Sequence, residues 1–157
     1  MTSKLKGVTL VETMLYIGLF AIILIMVLNF MFTTQESTLR TNRKGEIHKV
    51  AQFALQHLDD SFDRADGVSL TNTTFGSEQG KLELTFNTES KQYTLTESRL
   101  FYDGVAITPS SVTVNSFYLE PVYQQSPEIV GVRVTFSLTS SADSSITEDI
   151  NMLYVIK

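Results

Sequence analysis

The chain has 157 residues, of which 43% are hydrophobic and 18% charged, and its formal net charge is -5. This acidic balance excludes the strongly basic surface that nucleic-acid-binding domains use. The sequence contains no cysteine, which excludes disulfide bridges and thiolate metal sites. The residues beyond the apolar amino-terminal segment suffice for one domain with its own hydrophobic core.

The amino-terminal segment has the strongest pattern in the sequence. Residues 1–7 form a short leader that contains Lys4 and Lys6 and ends at Gly7. Residues 8–32 form an apolar run in which Glu12 is the only charged residue. As a helix this run would span about 37 Å, which exceeds the roughly 30 Å of bilayer hydrocarbon. We therefore predict a single membrane-spanning helix with its amino end in the cytoplasm, on the side of the two lysines.

Two ordinary explanations of this segment compete with a functional one. A secretory signal peptide has a shorter apolar core, followed by small residues at the cleavage site, and neither feature is present here. A plain uncleaved signal anchor explains the length and the leading lysines, but it gives no reason for Glu12 or for the Gly7 junction. The anchor remains the alternative to be tested.

Glu12 is the candidate functional residue of the apolar run. A carboxylate inside a membrane span costs free energy unless it has a partner, so such residues are functional by default. The alternative is a carboxylate that reaches back to the lipid headgroups. Thr9 and Thr13 would be weak anchors for that arrangement, which favours a functional partner for Glu12.

The junction at Gly7 resembles the processing signal of prepilins, the precursors of type IV pili and type II secretion pseudopili. The shared features are a basic leader that ends in Gly7, the segment Thr-Leu-Val-Glu at residues 9–12, and the apolar helix that follows. Val8 stands where the family usually has phenylalanine. The resemblance implies cleavage between Gly7 and Val8 by a prepilin peptidase, and N-methylation of Val8 by the same enzyme. It also implies a filament in which Glu12 of one subunit pairs with the Val8 amine of a neighbour.

The helix is expected to continue beyond the apolar run, from Thr9 to Ala65. Residues 33–66 are polar overall, and the first proline of the chain is Pro109. Between residues 46 and 62, apolar side chains recur at spacings of three and four, which predicts one buried helical face. This face, which we call the helix stripe, consists of Ile47, Val50, Ala51, Ala54, Leu55, Leu58 and Phe62. Asp66-Gly67 supplies a stop signal.

From residue 67 to residue 157 the hydrophobic period changes to two, which is typical of strands. Strands are predicted at residues 81–86, 92–96, 98–102, 112–119, 130–138 and 146–156, with a turn at 87–90 and a loop at 139–145. These strands predict one antiparallel sheet of six or seven strands, with one face packed on the helix stripe. The predicted fold class is α+β, a pilin-like long amino-terminal helix packed on an antiparallel sheet.

A looser resemblance links this order of elements to the J-type minor pseudopilins and related minor pilins. It is carried by the acidic helix end at residues 55–60, by the segment 100–104, and by the strand pair 116–119 and 131–138. This resemblance implies a minor subunit of a filament rather than the major one.

Other clusters of polar residues predict no catalytic, cofactor or metal site. His48 and His57 are nine positions apart on the predicted helix, so their side chains point in different directions. Asp59, Asp63 and Asp66 predict a solvated acidic face, because one helix face cannot supply the six or more oxygen ligands of calcium. A cation site shared with a loop is the alternative. No Ser/His/Asp or paired-glutamate pattern stands out, and we predict that the chain is not an enzyme.

A basic stretch follows the apolar run. It consists of Arg40, Arg43, Lys44 and Lys49. We interpret it as contacting anionic headgroups or acidic neighbours along a filament. Direct binding of DNA is the weaker alternative, because the rest of the chain is acidic.

The resemblance to prepilins implies a filament subunit, a minor one that helps to prime or cap a type IV pilus or a related filament. Two alternatives stay open: a competence or type II secretion pseudopilin that serves DNA uptake or protein export, and an uncleaved membrane-anchored envelope domain. The implied partners are other pilin subunits, a prepilin peptidase and methyltransferase, an assembly ATPase and its membrane platform protein, and the lipid membrane. The implied location is the cell membrane before assembly and an extracellular or periplasmic filament afterwards.

Replacing Gly7 with leucine tests the proposed junction. We expect Gly7→Leu to leave a full-length precursor, because the peptidase implied by the resemblance recognises glycine at that position. Mass spectrometry of the amino-terminal peptide from cells measures this directly. A mature chain beginning at Val8 in the variant would contradict the cleavage site.

Overall fold

The computed structural model describes residues 9–87, 89–125 and 128–156. The chain forms two compact units, Met1–Asn42 and Arg43–Lys157. Helix α1, Leu10–Arg64, begins in the first unit and ends in the second. All the strands belong to the second unit, which is the α+β part of the protein.

Helix α1 confirms the prediction of one helix from Thr9 to Ala65, to within a residue at each end. At its carboxyl end the Ala65 N–H still donates to the Ser61 carbonyl at 3.0 Å. The next amide, that of Asp66, donates instead to the Thr85 carbonyl at 2.8 Å. The helix therefore ends where the backbone begins to pair with a strand.

The described part of the second unit contains eight strands after the helix. They are β1 Gly67–Val68, β2 Lys81–Phe86, β3 Glu89–Thr96, β4 Arg99–Tyr102, β5 Val105–Ala106, β6 Val112–Gln125, β7 Glu128–Ser140 and β8 Asp143–Val155. Neighbouring strands within each sheet pair in antiparallel fashion.

The strands form two sheets, so the prediction of one sheet with six or seven strands is wrong. One sheet has the order β1-β2-β3-β4-β5, and the other has the order β6-β7-β8. The chain leaves the first sheet after the two-residue strand β5 and passes through Pro109, which has no N–H for a ladder. The two sheets are joined by the segment before β2, where Phe117 N–H donates to Glu78 O (2.7 Å) and Gly80 N–H donates to Phe117 O (2.8 Å).

Two predicted connections are shorter than expected. The predicted loop at 139–145 is wrong, because β7 extends to Ser140 and β8 begins at Asp143. Thr139 is buried, and its hydroxyl accepts a hydrogen bond from Asn115 Nδ2 at 2.6 Å, so a polar residue is satisfied inside the strand. The predicted turn at residues 87–90 is also shorter than expected, since β3 already begins at Glu89.

The core of the second unit lies between the helix stripe and the two sheets. On the helix, five residues of the stripe are buried, and Val50 and Leu55 are partly buried. The five are Ile47, Ala51, Ala54, Leu58 and Phe62. Strand β7 contributes one apolar face, as predicted, through Val132, Val134, Phe136 and Leu138. Burying a side chain as large as leucine stabilises the fold by about 1.5–3 kcal/mol, and this packing confirms the α+β fold class.

A pair of glycine substitutions tests these assignments. A Cβ on Gly80 would lie 2.4 Å from the Phe117 carbonyl oxygen, a backbone atom at the junction of the sheets. We expect Gly80→Ala to lower the free energy of unfolding by about 1–3 kcal/mol through overpacking. A Cβ on Gly45 in helix α1 meets no atom within 4 Å, so Gly45→Ala should raise stability by about 0.5–1 kcal/mol.

Urea unfolding of the full chain in detergent micelles, followed by circular dichroism, measures both changes. A Gly80→Ala protein as stable as the wild type would contradict the close approach of the two sheets. A destabilised Gly45→Ala protein would contradict the continuous helix.

Candidate functional site

The first unit presents a continuous apolar surface. Every large hydrophobic side chain between Leu10 and Phe32 is between 44% and 78% exposed. The most apolar window of helix α1 has a mean hydropathy of 2.6, and by length and composition the helix can cross a membrane. Monomeric soluble proteins rarely expose an apolar surface of this extent to water. The segment therefore indicates a membrane anchor.

Glu12 lies in the first turn of this helix. Its backbone N–H donates to the Thr9 hydroxyl at 3.3 Å, so Thr9 is the amino-terminal cap and Glu12 is the third helical residue. Thr-x-x-Glu is the sequence of a capping box. The positive end of the helix dipole also favours a carboxylate at this position. Local helix chemistry thus fixes Glu12 at the start of the apolar segment.

The Glu12 carboxylate has a second local partner that the sequence analysis missed. The Tyr16 hydroxyl donates to Glu12 Oε1 at 3.1 Å, one helical turn further along. The spacing of four residues is the signal that could have revealed this pair. Tyr16 gives the carboxylate a hydrogen-bond donor within its own chain, which lowers the cost of placing it in an apolar environment.

The predicted cleavage and methylation sites lie outside the described residues. Gly7 and Val8 are not among them, nor are Lys4 and Lys6. The processing site at Gly7 and Val8, the methylated Val8, and the charge pair between Glu12 and Val8 all stay predictions.

The two histidines contact different strands of the second unit. His48 Nδ1 lies 2.9 Å from Glu148 Oε1 on β8. His57 Nδ1 lies 2.6 Å from the Tyr93 hydroxyl on β3. Each imidazole therefore ties helix α1 to a separate sheet.

Tyr93 is the centre of a buried polar network. Its ring is fully buried, and its hydroxyl donates to the His57 carbonyl at 3.0 Å. The same hydroxyl lies 2.7 Å from Ser61 Oγ and 2.6 Å from His57 Nδ1. Burial raises the pKa of Tyr93 well above its ordinary value of 10.0.

A groove of about 480 Å³ opens beside this network. Its lining includes Arg64 and Asp60, paired at 3.0 Å with side chains that are 74% and 63% exposed. Such exposed ion pairs contribute at most about 1 kcal/mol to stability. Ser61 also lines the groove, but its hydroxyl is bound to Tyr93 Oη rather than to the imidazole. The groove therefore lacks the base-to-nucleophile hydrogen bond that activates a serine.

The acidic residues at the helix end have structural contacts. Asp59 Oδ1 accepts a hydrogen bond from the Tyr154 hydroxyl at 2.7 Å. The Asp66 carboxylate accepts from the Asn87 N–H at the turn after β2. Asp59, Asp63 and Asp66 are all exposed, as predicted. Asp59 and Asp66 link the helix end to the sheets rather than converging on one point.

In the predicted basic stretch, Arg43 lies closest to a described acidic group. Its Nη1 is 3.8 Å from Asp143 Oδ2 at the start of β8. The exposed side chains of Arg40, Lys44 and Lys49 complete the stretch. Arg43 thus neutralises an acid of its own chain.

No family model, curated protein or solved structure matches the chain.

The buried tyrosines predict a loss of stability at high pH. Burial raises the pKa of both Tyr93 and Tyr154 above the ordinary 10.0, so above that pH the folded state holds more protons than the unfolded one. Their contribution is complete below about pH 10 and then falls by up to about 1.4 kcal/mol per pH unit for each tyrosine. We expect Tyr93→Phe to make the free energy of unfolding fall less steeply with pH, because one of the two contributing tyrosines is removed.

Urea unfolding between about pH 8 and pH 11 measures the slope, and phenolate absorbance reports the titration itself. At neutral pH, Tyr93→Phe should cost about 1–3 kcal/mol, because Ser61 and His57 lose a buried hydrogen-bond partner. A variant with an unchanged slope would show that Tyr93 titrates normally in the folded protein.

Proposed function

We propose that this chain is a prepilin-like filament subunit, a minor one that helps to prime or cap a type IV pilus or a related filament. One observation carries the proposal: the exposed apolar stretch of helix α1, residues 10–32, contains a single carboxylate, Glu12, which is fixed in the first turn. A membrane anchor needs only an apolar surface. The Glu12 carboxylate, at one fixed position along the helix, can in addition make a directional contact with a partner.

Before assembly, the apolar surface of residues 10–32 lies in lipid. Glu12 is bound there by the Tyr16 hydroxyl at 3.1 Å. The hydroxyl donor is uncharged, so this hydrogen bond does not cancel the negative charge of the Glu12 carboxylate. In the membrane, before assembly, the subunit therefore carries a carboxylate that is hydrogen-bonded but has no cationic partner among the described residues.

Processing would supply the missing positive charge. Cleavage after Gly7 frees an amine on Val8, which methylation keeps as a cation. Glu12 lies four residues beyond Val8 in the sequence, so within one chain the two groups are close in sequence. In a staggered pair of subunits, the amine of one chain can meet the Glu12 carboxylate of the next.

The intermolecular ion pair would set the axial register of the filament. Each charge removes the desolvation cost of the other when they meet in an apolar environment, where their attraction is strong. Removing one partner of such a buried pair typically costs about 3–5 kcal/mol. The Tyr16 hydroxyl is then replaced, or joined, by the stronger charged donor.

Filament growth would exchange lipid contacts for helix contacts. Residues 10–32 of neighbouring subunits pack against one another, while the second unit is displayed at the filament surface. The partners proposed are other pilin subunits, the prepilin peptidase and methyltransferase, the assembly ATPase and its platform protein. The chain acts by assembly and display, and we propose no catalytic role for it.

The same features suit a competence or secretion pseudopilin, which would use the filament for DNA uptake or protein export. Contact with DNA would then be indirect, because the basic stretch is small and Arg43 is paired with Asp143 at 3.8 Å. The final location is a cell-surface or periplasmic filament in either case.

Replacing Glu12 tests the charge pair. We expect Glu12→Ala to insert into the membrane normally but to fall at least about tenfold in sheared filaments, because losing the pair costs more than the 1.4 kcal/mol that corresponds to tenfold. Quantitative mass spectrometry of filament and membrane fractions gives both amounts. Tyr16→Phe is the matched control, since it removes the local donor and keeps the carboxylate; it should still assemble.

Two results would contradict the proposal. If Glu12→Ala assembled at the wild-type level, the proposed charge pair between Glu12 and Val8 would be contradicted. A wild-type chain found only in membranes and still starting at Met1 would favour the uncleaved envelope anchor.

A further inference from the structure

The free edge of β8 differs from the other sheet edges in the described part of the chain. In the five-stranded sheet the edge strands β1 and β5 are two residues long. In the three-stranded sheet, β6 pairs on its outer side with the segment before β2, through Phe117 N–H to Glu78 O and Gly76 N–H to Leu119 O. The other edge is β8, which is 13 residues long.

The register shows which backbone groups of β8 face outward. Ile156 N–H donates to Val130 O at 2.9 Å, which continues the β7–β8 pairing of Gly131 with Val155. Hydrogen-bonded and non-hydrogen-bonded pairs alternate along an antiparallel ladder. Even-numbered residues of β8 from Glu148 to Ile156 therefore bond to β7. The N–H and C=O groups of the odd-numbered residues point away from β7, at Thr147, Asp149, Asn151, Leu153 and Val155.

These five outward residues, which we call the β8 edge, form a continuous strand template. Within residues 9–87, 89–125 and 128–156, their backbone groups have no hydrogen-bond partner beyond the sheet. Leu153 is 53% exposed and Val155 is 73% exposed. Natural edge strands are often protected by short length, proline or charged side chains, especially lysine. β8 has 13 residues with neither lysine nor proline, and its charged side chains are acids, Asp143, Glu148 and Asp149.

A groove of about 490 Å³ runs beside the carboxyl-terminal half of the β8 edge. It combines acidic groups with apolar walls. The acids are Asp59 and Asp63 of helix α1, and the walls include Phe62, Met152, Leu153 and Val155. A side chain that combines an apolar stem with a cationic head, as in lysine or arginine, matches this surface.

We propose that the β8 edge binds an extended strand of a partner protein, in which lysine or arginine residues alternate with apolar ones. The partner's backbone would pair with residues 147–155 by strand addition, which gives affinity through main-chain hydrogen bonds. Its basic side chains would lie over Phe62 toward Asp59 and Asp63, or beside Asp149. Charge complementarity selects a basic strand over an acidic one.

This proposal goes beyond the filament proposal and is independent of it. Binding at β8 concerns the second unit, whereas filament assembly depends on Glu12 in the first. A failure at one site therefore leaves the other proposal standing, and the two experiments measure different residues.

Amide hydrogen exchange by NMR tests strand addition residue by residue. The full chain in detergent micelles is mixed with a synthetic peptide of alternating valine and lysine, about nine residues long to match residues 147–155. In the free protein the odd-numbered amides of β8 should exchange faster than the even-numbered ones. With the peptide, the odd-numbered amides should slow by at least about tenfold, because they gain hydrogen-bonded partners.

Matched controls separate strand addition from adhesion to the micelle. The same peptide with N-methyl groups on every backbone nitrogen has no N–H to donate to the β8 carbonyls, and it should give no protection. Leu153→Lys places a cation at the edge and should weaken peptide binding at least about tenfold, the equivalent of 1.4 kcal/mol. Leu70→Lys changes a residue of similar exposure (48% against 53%) in the connection between β1 and β2 and should leave binding unchanged.

Three results would overturn the proposal. The first is peptide binding without protection of the odd-numbered amides. The second is equal binding of a peptide with glutamate in place of lysine. The third is protection that appears without peptide as the protein concentration rises, because the occupant would then be a second copy of this chain.

Discussion

Burial of the helix stripe is the interaction on which the second unit depends. One face of α1 between Ile47 and Phe62 packs against both sheets, while the opposite face stays in solvent. Among the described residues, the backbone links between the two sheets are short and lie along β6, where Val114 N–H donates to Ser98 O and Phe117 N–H donates to Glu78 O. The helix therefore provides their shared apolar surface. The polar links from Tyr93 to His57 and from Tyr154 to Asp59 then fix each sheet to a defined turn of that helix.

The two parts of this helix suit two different environments, and its sequence changes accordingly. Up to Phe32 its side chains are apolar on every face, which suits lipid or neighbouring helices. Beyond Arg43 it is amphipathic, which suits a sheet on one side and water on the other. Glu12 departs from the first pattern, and Thr9 and Tyr16 offset part of its cost through hydrogen bonds. A residue retained against its local environment is where a functional proposal is best placed.

The helix and most strand positions could be predicted from the sequence, because they follow from periodicity. The stripe repeats every three to four residues, and β7 alternates from Val132 to Leu138. The division into two sheets could not be predicted in this way, since period two does not specify which strands pair. The Thr139 to Ser145 segment was misassigned because serine and threonine suit both loops and strands, and the Asn115 contact that satisfies Thr139 is remote in sequence. At the candidate site, Glu12 was evident as a charge, whereas the Tyr16 hydrogen bond needed side-chain geometry.

The order of the elements along the chain has a consequence for biogenesis. The helix stripe is synthesised early, but Phe62 stacks on Tyr154 with ring centroids 4.1 Å apart, and Tyr154 belongs to the last strand. Contacts of such high sequence separation form late, because loop closure precedes any gain from them. A nascent chain therefore exposes the stripe until β8 has been synthesised. Premature collapse onto a foreign apolar surface is the hazard of that interval.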